Sequence, residues 1–452
     1  MGIGLISGGA VSLVYGFILS LIGNLCIAMS LSEPASMYPN SGGQYYMISK
    51  LSSPRYKALL SWYTGWVSLI GWLGLTASAP FGAANLIQGL ITLNHETYEP
   101  KSWHWYLIYS GVTIGAFMIN TWGGKVLPMV ENVIMIFHVV FFFAILIATA
   151  ALPNYERQSP QFVFTYFSNG TGWESNVIAW GIGMLTSAYI MVGYDSAIHM
   201  SEEMQKPETG VPKAMISSLF VNGIMGLAVL ISILFGIADL NTALNSKTKF
   251  PIIEIFYQMT RGNKAAASAM TCTVIASASL ATVGLLASTS RTLWSFARDG
   301  APPCSGSLSQ VSGRHGVPFN AVAVSTIVLI LLGLLYIAST TAFNAILSIA
   351  VVGLSLSYLV PVAAMLYRRI HTPSEIRWGP WRMPGGVGIA INVASICYIL
   401  FLTAFLALPT VKPVTAQNMN YASLLLGGVL FLVTIDWVFR GRKYFEGPKP
   451  MF

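Results

Sequence analysis

The sequence predicts an all-α integral membrane protein of about eleven transmembrane helices, and three observations carry that prediction. Hydrophobic residues make up 54% of the 452 positions and charged residues 9%, against the roughly 25% charged residues of a water-soluble domain. The apolar residues fall into blocks of about 20, the length at which a helix crosses the hydrocarbon core of a bilayer. The blocks are joined by links that hold most of the Lys and Arg, as loops outside a bilayer do. A disordered chain is excluded by the same figures, because disorder goes with polar composition and few aromatics.

In chain order the predicted spans are 9–31, 58–80, 104–121, 129–152, 175–197, 213–237, 265–288, 318–338, 343–367, 386–409 and 421–439. All are rich in Gly, Ser and Ala, small residues that let transmembrane helices approach closely. A long polar link, 153–174, separates the first four spans from the rest. A second link, 239–263, carries an apolar stretch from Pro251 to Met259. That stretch is too short to span, and is expected at the membrane interface as an amphipathic helix.

Lys and Arg set the orientation. With links alternating sides, one side holds 17 of the 24 basic residues and the other 7; the richer side is predicted to be cytoplasmic. This places the C-terminus inside and the start of the first span outside. The net charge of +8 is spread over these links rather than gathered in one patch, so it does not point to nucleic acid. No charge precedes Glu33, so there is no basic region of a signal peptide. A chain that begins outside without a signal is an unusual insertion problem. The expectation is that a further helix precedes Met1, the alternative being a true outward start. Met1-Gly2 is not a myristoylation start, since position six is Ile6. Cys26, Cys272, Cys304 and Cys397 are far apart and make neither a zinc site nor a redox dithiol.

Three segments predicted to lie on the cytoplasmic side narrow the reading. The first runs from Ser30-Leu31-Ser32-Glu33 to Met37-Tyr38-Pro39-Asn40-Ser41-Gly42-Gly43-Gln44-Tyr45-Tyr46. The second is Gly193-Tyr194-Asp195-Ser196-Ala197, His199, Ser201-Glu202-Glu203, Lys206-Pro207 and Val211-Pro212-Lys213-Ala214. The third is Ser290-Arg291, Ser295-Phe296-Ala297-Arg298-Asp299-Gly300-Ala301 and Pro303. In this order the chain resembles the amino acid–polyamine–organocation transporters over nearly its whole length. The resemblance is closest to the fungal amino acid/choline permeases, which carry GABA, choline and other amino compounds. It implies a single transmembrane permease domain, 1–452, of twelve helices, the first ten forming two inverted repeats of five. Here 1–152 is an incomplete first repeat, 153–174 an external loop, 175–370 the second repeat, and 371–452 two additional helices with a cytoplasmic tail. Gly4-Leu5-Ile6-Ser7-Gly8-Gly9 reads as the exit of an otherwise missing first helix, which in the family supplies half of the substrate site. Pro34 departs from the family pattern after Glu33.

Candidate site residues follow. Transporters of this kind bind substrate near the midplane, where broken helices leave backbone groups free. Gly193, with Val192 and Tyr194 beside it, is a candidate break because glycine tolerates unusual dihedrals; close helix packing would also explain it. Asp195 is a costly carboxylate in a predicted span. It is a candidate to take up the coupling proton or to stabilise the inner half of the broken helix, unless it lies at the interface within reach of water and Lys213. Tyr189, four residues before Gly193, would hold a substrate ammonium by cation–π attraction or simply pack. Glu33 and Gln44 belong to the first cytoplasmic motif. Glu202, Glu203, Arg291, Arg298 and Asp299 form an inner gate or a solvated, topology-setting face, with Arg298-Asp299 the stronger gate candidate. Trp62, Trp66 and Trp72 read as core or interfacial anchors. Glu131 and Asp436 are intramembrane acids with no partner legible in the sequence, and His199 does not point to a metal.

No GxxxxGK[ST], HExxH or GxSxG motif occurs, which removes ATP-driven pumping and the commonest hydrolases. The reading is therefore a carrier rather than an enzyme, with no cofactor and no metal. Its expected partners are a small amine-bearing substrate, protons and the lipid bilayer. The expected location is the plasma membrane, with a vacuolar or other internal membrane as the alternative. The rival reading is a non-transporting sensor or inactive truncated paralogue on the same fold. Asn169-Gly170-Thr171, in the external link, is the expected glycosylation site.

Overall fold

A computed structural model describes residues 2–122, 127–153, 155–313, 316–338 and 340–448. Each predicted span corresponds to a helix: Gly9–Met37, Lys57–Asn94, Ser102–Trp122, Leu127–Ala151, Asn176–Ile190, Pro207–Phe235, Lys264–Arg298, Phe319–Ala338, Thr340–His371, Gly385–Leu406 and Ala422–Asp436. Among the described residues nine helices are long and apolar enough to cross a membrane. Ser102–Trp122, which carries His, Asn and Thr along its 21 residues, does not meet that measure. Asn176–Ile190, with 15 residues, is too short. Lys125, Arg314 and Lys449, three basic residues assigned to the inner side, lie outside the described residues.

Lys57–Asn94 runs through the middle of the bundle, packed against Lys264–Arg298 on one side and Thr340–His371 on the other. Small residues set that closeness: a Cβ on Gly71 would sit 2.8 Å from the backbone nitrogen of Leu354. Gly9–Met37 packs against Pro207–Phe235, Asn176–Ile190 and Gly385–Leu406. Pro34 is buried and the helix runs on through it to Met37; bundles tolerate such prolines where neighbours satisfy the freed backbone groups. Leu127–Ala151 turns Met135, Phe137, Val140, Phe143 and Ile147 outward, an apolar surface suited to lipid.

One link carries the short helix expected there. Pro251–Met259 is helical, with Ile253, Ile255, Phe256 and Met259 buried, the last three in a cluster with Leu5, Leu13, Val163 and Ile233. The segment therefore packs its apolar face against the end of the bundle. Its apolar face finds protein within reach, and burying each such side chain is worth about 1.5–3 kcal/mol. The link 153–174 closes over the same end, with Gly8 donating to the Ser168 carbonyl at 2.8 Å and Gly170 to that of Ile6 at 2.9 Å.

Candidate functional site

The helix that begins at Asn176 stops at Ile190, inside the predicted span 175–197. Residues 191–195 turn, Ser196–His199 forms one helical turn, and Ser201–Glu203 a 3-10 turn. Gly193 sits at φ +95°, a conformation that side-chain-bearing residues rarely hold, and a Cβ there would come 3.1 Å from Leu75 Cδ2. A break thus replaces a continuous helix. It opens a cavity of about 260 Å³ whose wall includes Val192, Gly193 and Tyr194 and, from Pro207–Phe235, Ser218 and Asn222.

Asp195, the next residue after Tyr194, turns the other way and is fully buried. Tyr358 donates to its Oδ1 at 2.7 Å. Gln44 and Trp72 donate to its Oδ2 at 2.8 and 3.2 Å, and His199 Nε2 lies 3.5 Å from the same oxygen. A buried carboxylate survives only when such donors replace water. The interfacial alternative is corrected here: Asp195 is sealed from solvent, while Lys213 is exposed and absent from this cluster. Gln44 reaches the carboxylate because Gly43, at φ +62°, turns the chain into the helix Gln44–Leu51.

A broken helix around a buried polar cluster, inside a bundle of long apolar helices, is a transporter's arrangement. A sequence model described as amino acid permease matches residues 2–431. The chain belongs to the amino acid permease family. It is 32% identical over 443 residues to a choline transporter of Saccharomyces cerevisiae, covering 98% of this chain and 77% of that protein. An amino-acid permease of Arabidopsis thaliana is 30% identical over 460 residues, covering 98% and 88%. Amino-acid permease 2 of Neurospora crassa is 27% identical over 447 residues, covering 98% and 81%. The protein is thus a multi-pass membrane permease of the amino acid/choline type, a secondary transporter and not an enzyme.

In this permease the predicted gate residues form separate contacts. Arg298 grips both oxygens of Glu202, at 3.0 Å each, and Ser41 donates to Glu202 Oε1 from its backbone at 3.1 Å and its hydroxyl at 2.6 Å. Burial would raise the Glu202 carboxyl, but the hydrogen bonds from Arg298 and Ser41 hold it below the usual carboxylate range. Arg291 pairs with Glu203. Asp299, next to Arg298, accepts from Tyr45 at 2.9 Å. Burial and the charge of Asp299 push the Tyr45 phenol well up, keeping it a donor. Glu33 stands apart, buried with Arg369 and accepting from the Met383 amide at 2.8 Å.

Tyr189 lies on the helix before the break, with its hydroxyl on Ser78; it does not line the cavity at the break. Trp72, Tyr358, His199 and Ser41 are the site residues that sequence reasoning missed. Trp72 was hidden among the aromatics of its helix, and Tyr358 carries no local signal at all. Of the two intramembrane acids, Asp436 pairs with Arg440 at 2.6 Å. Glu131 lines a separate cavity of about 630 Å³ between Leu127–Ala151, Pro207–Phe235 and Lys264–Arg298. Among the described residues no group of three or more His, Cys, Asp or Glu is placed to hold a metal ion.

Proposed function

We propose that this permease carries a small amine-bearing solute, of the GABA, choline or amino-acid class, by alternating access driven by a proton gradient. The observation that carries this reading is the break at residues 191–195 with a cavity opening onto it. Val192, Gly193 and Tyr194 would meet the substrate there, with backbone groups freed by the break acting on its polar ends. Tyr189, next to the break, would offer a ring face to the ammonium on the transport path. Asp195 would couple the proton while tying the inner half of the helix to Gln44, Trp72 and Tyr358. The Glu202–Arg298 and Glu203–Arg291 pairs would form an inner gate that opens once per cycle. The helices would be organised as inverted repeats of five followed by two more, in the plasma membrane. Names borne by relatives, a choline transporter and amino-acid permeases, favour this substrate class.

The test is uptake of labelled GABA, choline and a panel of amino acids into permease-deficient cells expressing the chain. Saturable uptake of an amine that collapses with a protonophore is expected. Uptake indifferent to the proton gradient would remove the coupling, and absence of uptake for every amine would remove the substrate class.

A further inference from the structure

His199 is buried with 1% of its surface exposed, and its two ring nitrogens have different surroundings. Nδ1 lies 2.9 Å from the carbonyl oxygen of Ser41. A carbonyl only accepts, so Nδ1 must carry the hydrogen. Nε2, the remaining nitrogen, has no hydrogen-bond partner and faces Asp195 Oδ2 at 3.5 Å, with neither side chain exposed. In the neutral ring two lone-pair-bearing atoms therefore oppose each other in a dry interior, an arrangement that one added proton would relieve. The ring is also held in place: Trp72 stands edge-on at 5.5 Å, and a Cβ on Gly43 would reach 2.6 Å from His199 Cε1.

We propose that His199 and Asp195 together are the proton-binding site of the transport cycle, one proton being held between Nε2 and Oδ2. This rests on the proton-coupled reading above and deepens it. A proton from water binds at Nε2, the imidazolium then donates to the Asp195 carboxylate, and the proton returns to water on the inner side when the Ser41 and Glu202 contacts open. The titratable and charged groups nearest the pair are Tyr194 beside Asp195, Tyr358 of Thr340–His371, which packs near Tyr194 and donates to Asp195, and Glu202, which accepts from the same Ser41 that His199 contacts. Trp72, and Val211 and Met215 of Pro207–Phe235, carry no charge.

The experiment uses the chain in proteoliposomes with an imposed gradient of about one pH unit, which one coupled proton converts into about tenfold accumulation. H199Q keeps a donor for the Ser41 carbonyl but cannot titrate. It is expected to keep a measurable exchange of labelled for unlabelled substrate, while its accumulation falls to about unity and its uptake loses its pH dependence. Wild-type accumulation in H199Q overturns the role of His199. Wild-type accumulation that ignores the pH gradient overturns the coupled reading itself, a distinct result. If H199Q fails to fold, a chain keeping His199 and replacing the other five of its six histidines is followed by nitrogen-15 NMR. A ring nitrogen that gains a proton with falling pH while its partner stays protonated supports the pair; a ring locked in one state overturns it.

Discussion

The indole nitrogen of Trp72 donates to Asp195 Oδ2 at 3.2 Å, across 123 positions of sequence, and so ties the central helix to the segment that follows the break. A hydrogen bond to a charged group is worth about 1.5–3 kcal/mol. Trp72→Phe keeps an aromatic ring but removes the donor, and is expected to destabilise the folded permease by about that amount. Asp195→Asn keeps the shape, so exchange should survive while accumulation is lost. Thermal unfolding in detergent checks the first, and exchange against accumulation the second.

Gly193 makes the break possible, and its φ of +95° excludes ordinary side chains. Gly193→Ala is expected to cost about 1–3 kcal/mol in backbone strain, and Gly193→Val more, because it also meets Leu75. Transport should fall with stability. Unchanged uptake and melting in Gly193→Val would show that the break is not needed.

Tyr189→Ala should raise the apparent KM about three- to thirtyfold if the ring faces the substrate ammonium, from a cation–π contribution of roughly 0.5–2 kcal/mol. Tyr189→Phe should be much milder. It loses only the contact to the Ser78 hydroxyl, which also bonds the Leu75 carbonyl. Equal losses in both variants would assign Tyr189 to packing with Ser78.

Glu202 and Arg298 are each less than one-third exposed, so their pair should contribute about 0.5–2 kcal/mol in a double-mutant cycle. The sign with pH follows from the lowered carboxyl. Stability from the pair is fully present above the ordinary carboxylate pKa and is lost as pH falls through the depressed folded value. Melting measured on the acid side should therefore fall earlier in the wild type than in Glu202→Gln, which has no such contribution to lose. Arg298→Lys should recover only part of the effect, since an ammonium cannot make the two-pronged contact.

Asn169 is exposed and its side chain donates to the Trp173 carbonyl at 2.8 Å. In a eukaryotic host it should carry a glycan that Asn169→Gln removes, read as a mobility shift. A tag inserted beside it should be accessible only from outside the cell; a cytoplasmic tag would reverse the orientation.

Composition and block length alone determined that this chain is a bundle of membrane helices, because charge content and the length of an apolar run decide what a bilayer accepts. Glycine within a predicted span marked the break, since backbone freedom is a property of one residue. Motif order singled out Gln44, Asp195, Glu202 and Arg298 as candidates. What sequence could not determine is who meets whom. Trp72, Tyr358 and His199 converge on Asp195 from separate elements, and nothing local to Tyr358 announces a partner 163 positions away. Arg298 reaches Glu202, 96 positions away. Pro251–Met259 finds its apolar partners on other elements of the bundle. Apolarity and backbone freedom are local, but the pairing of buried polar groups depends on helix rotation and depth, which only the packed bundle sets.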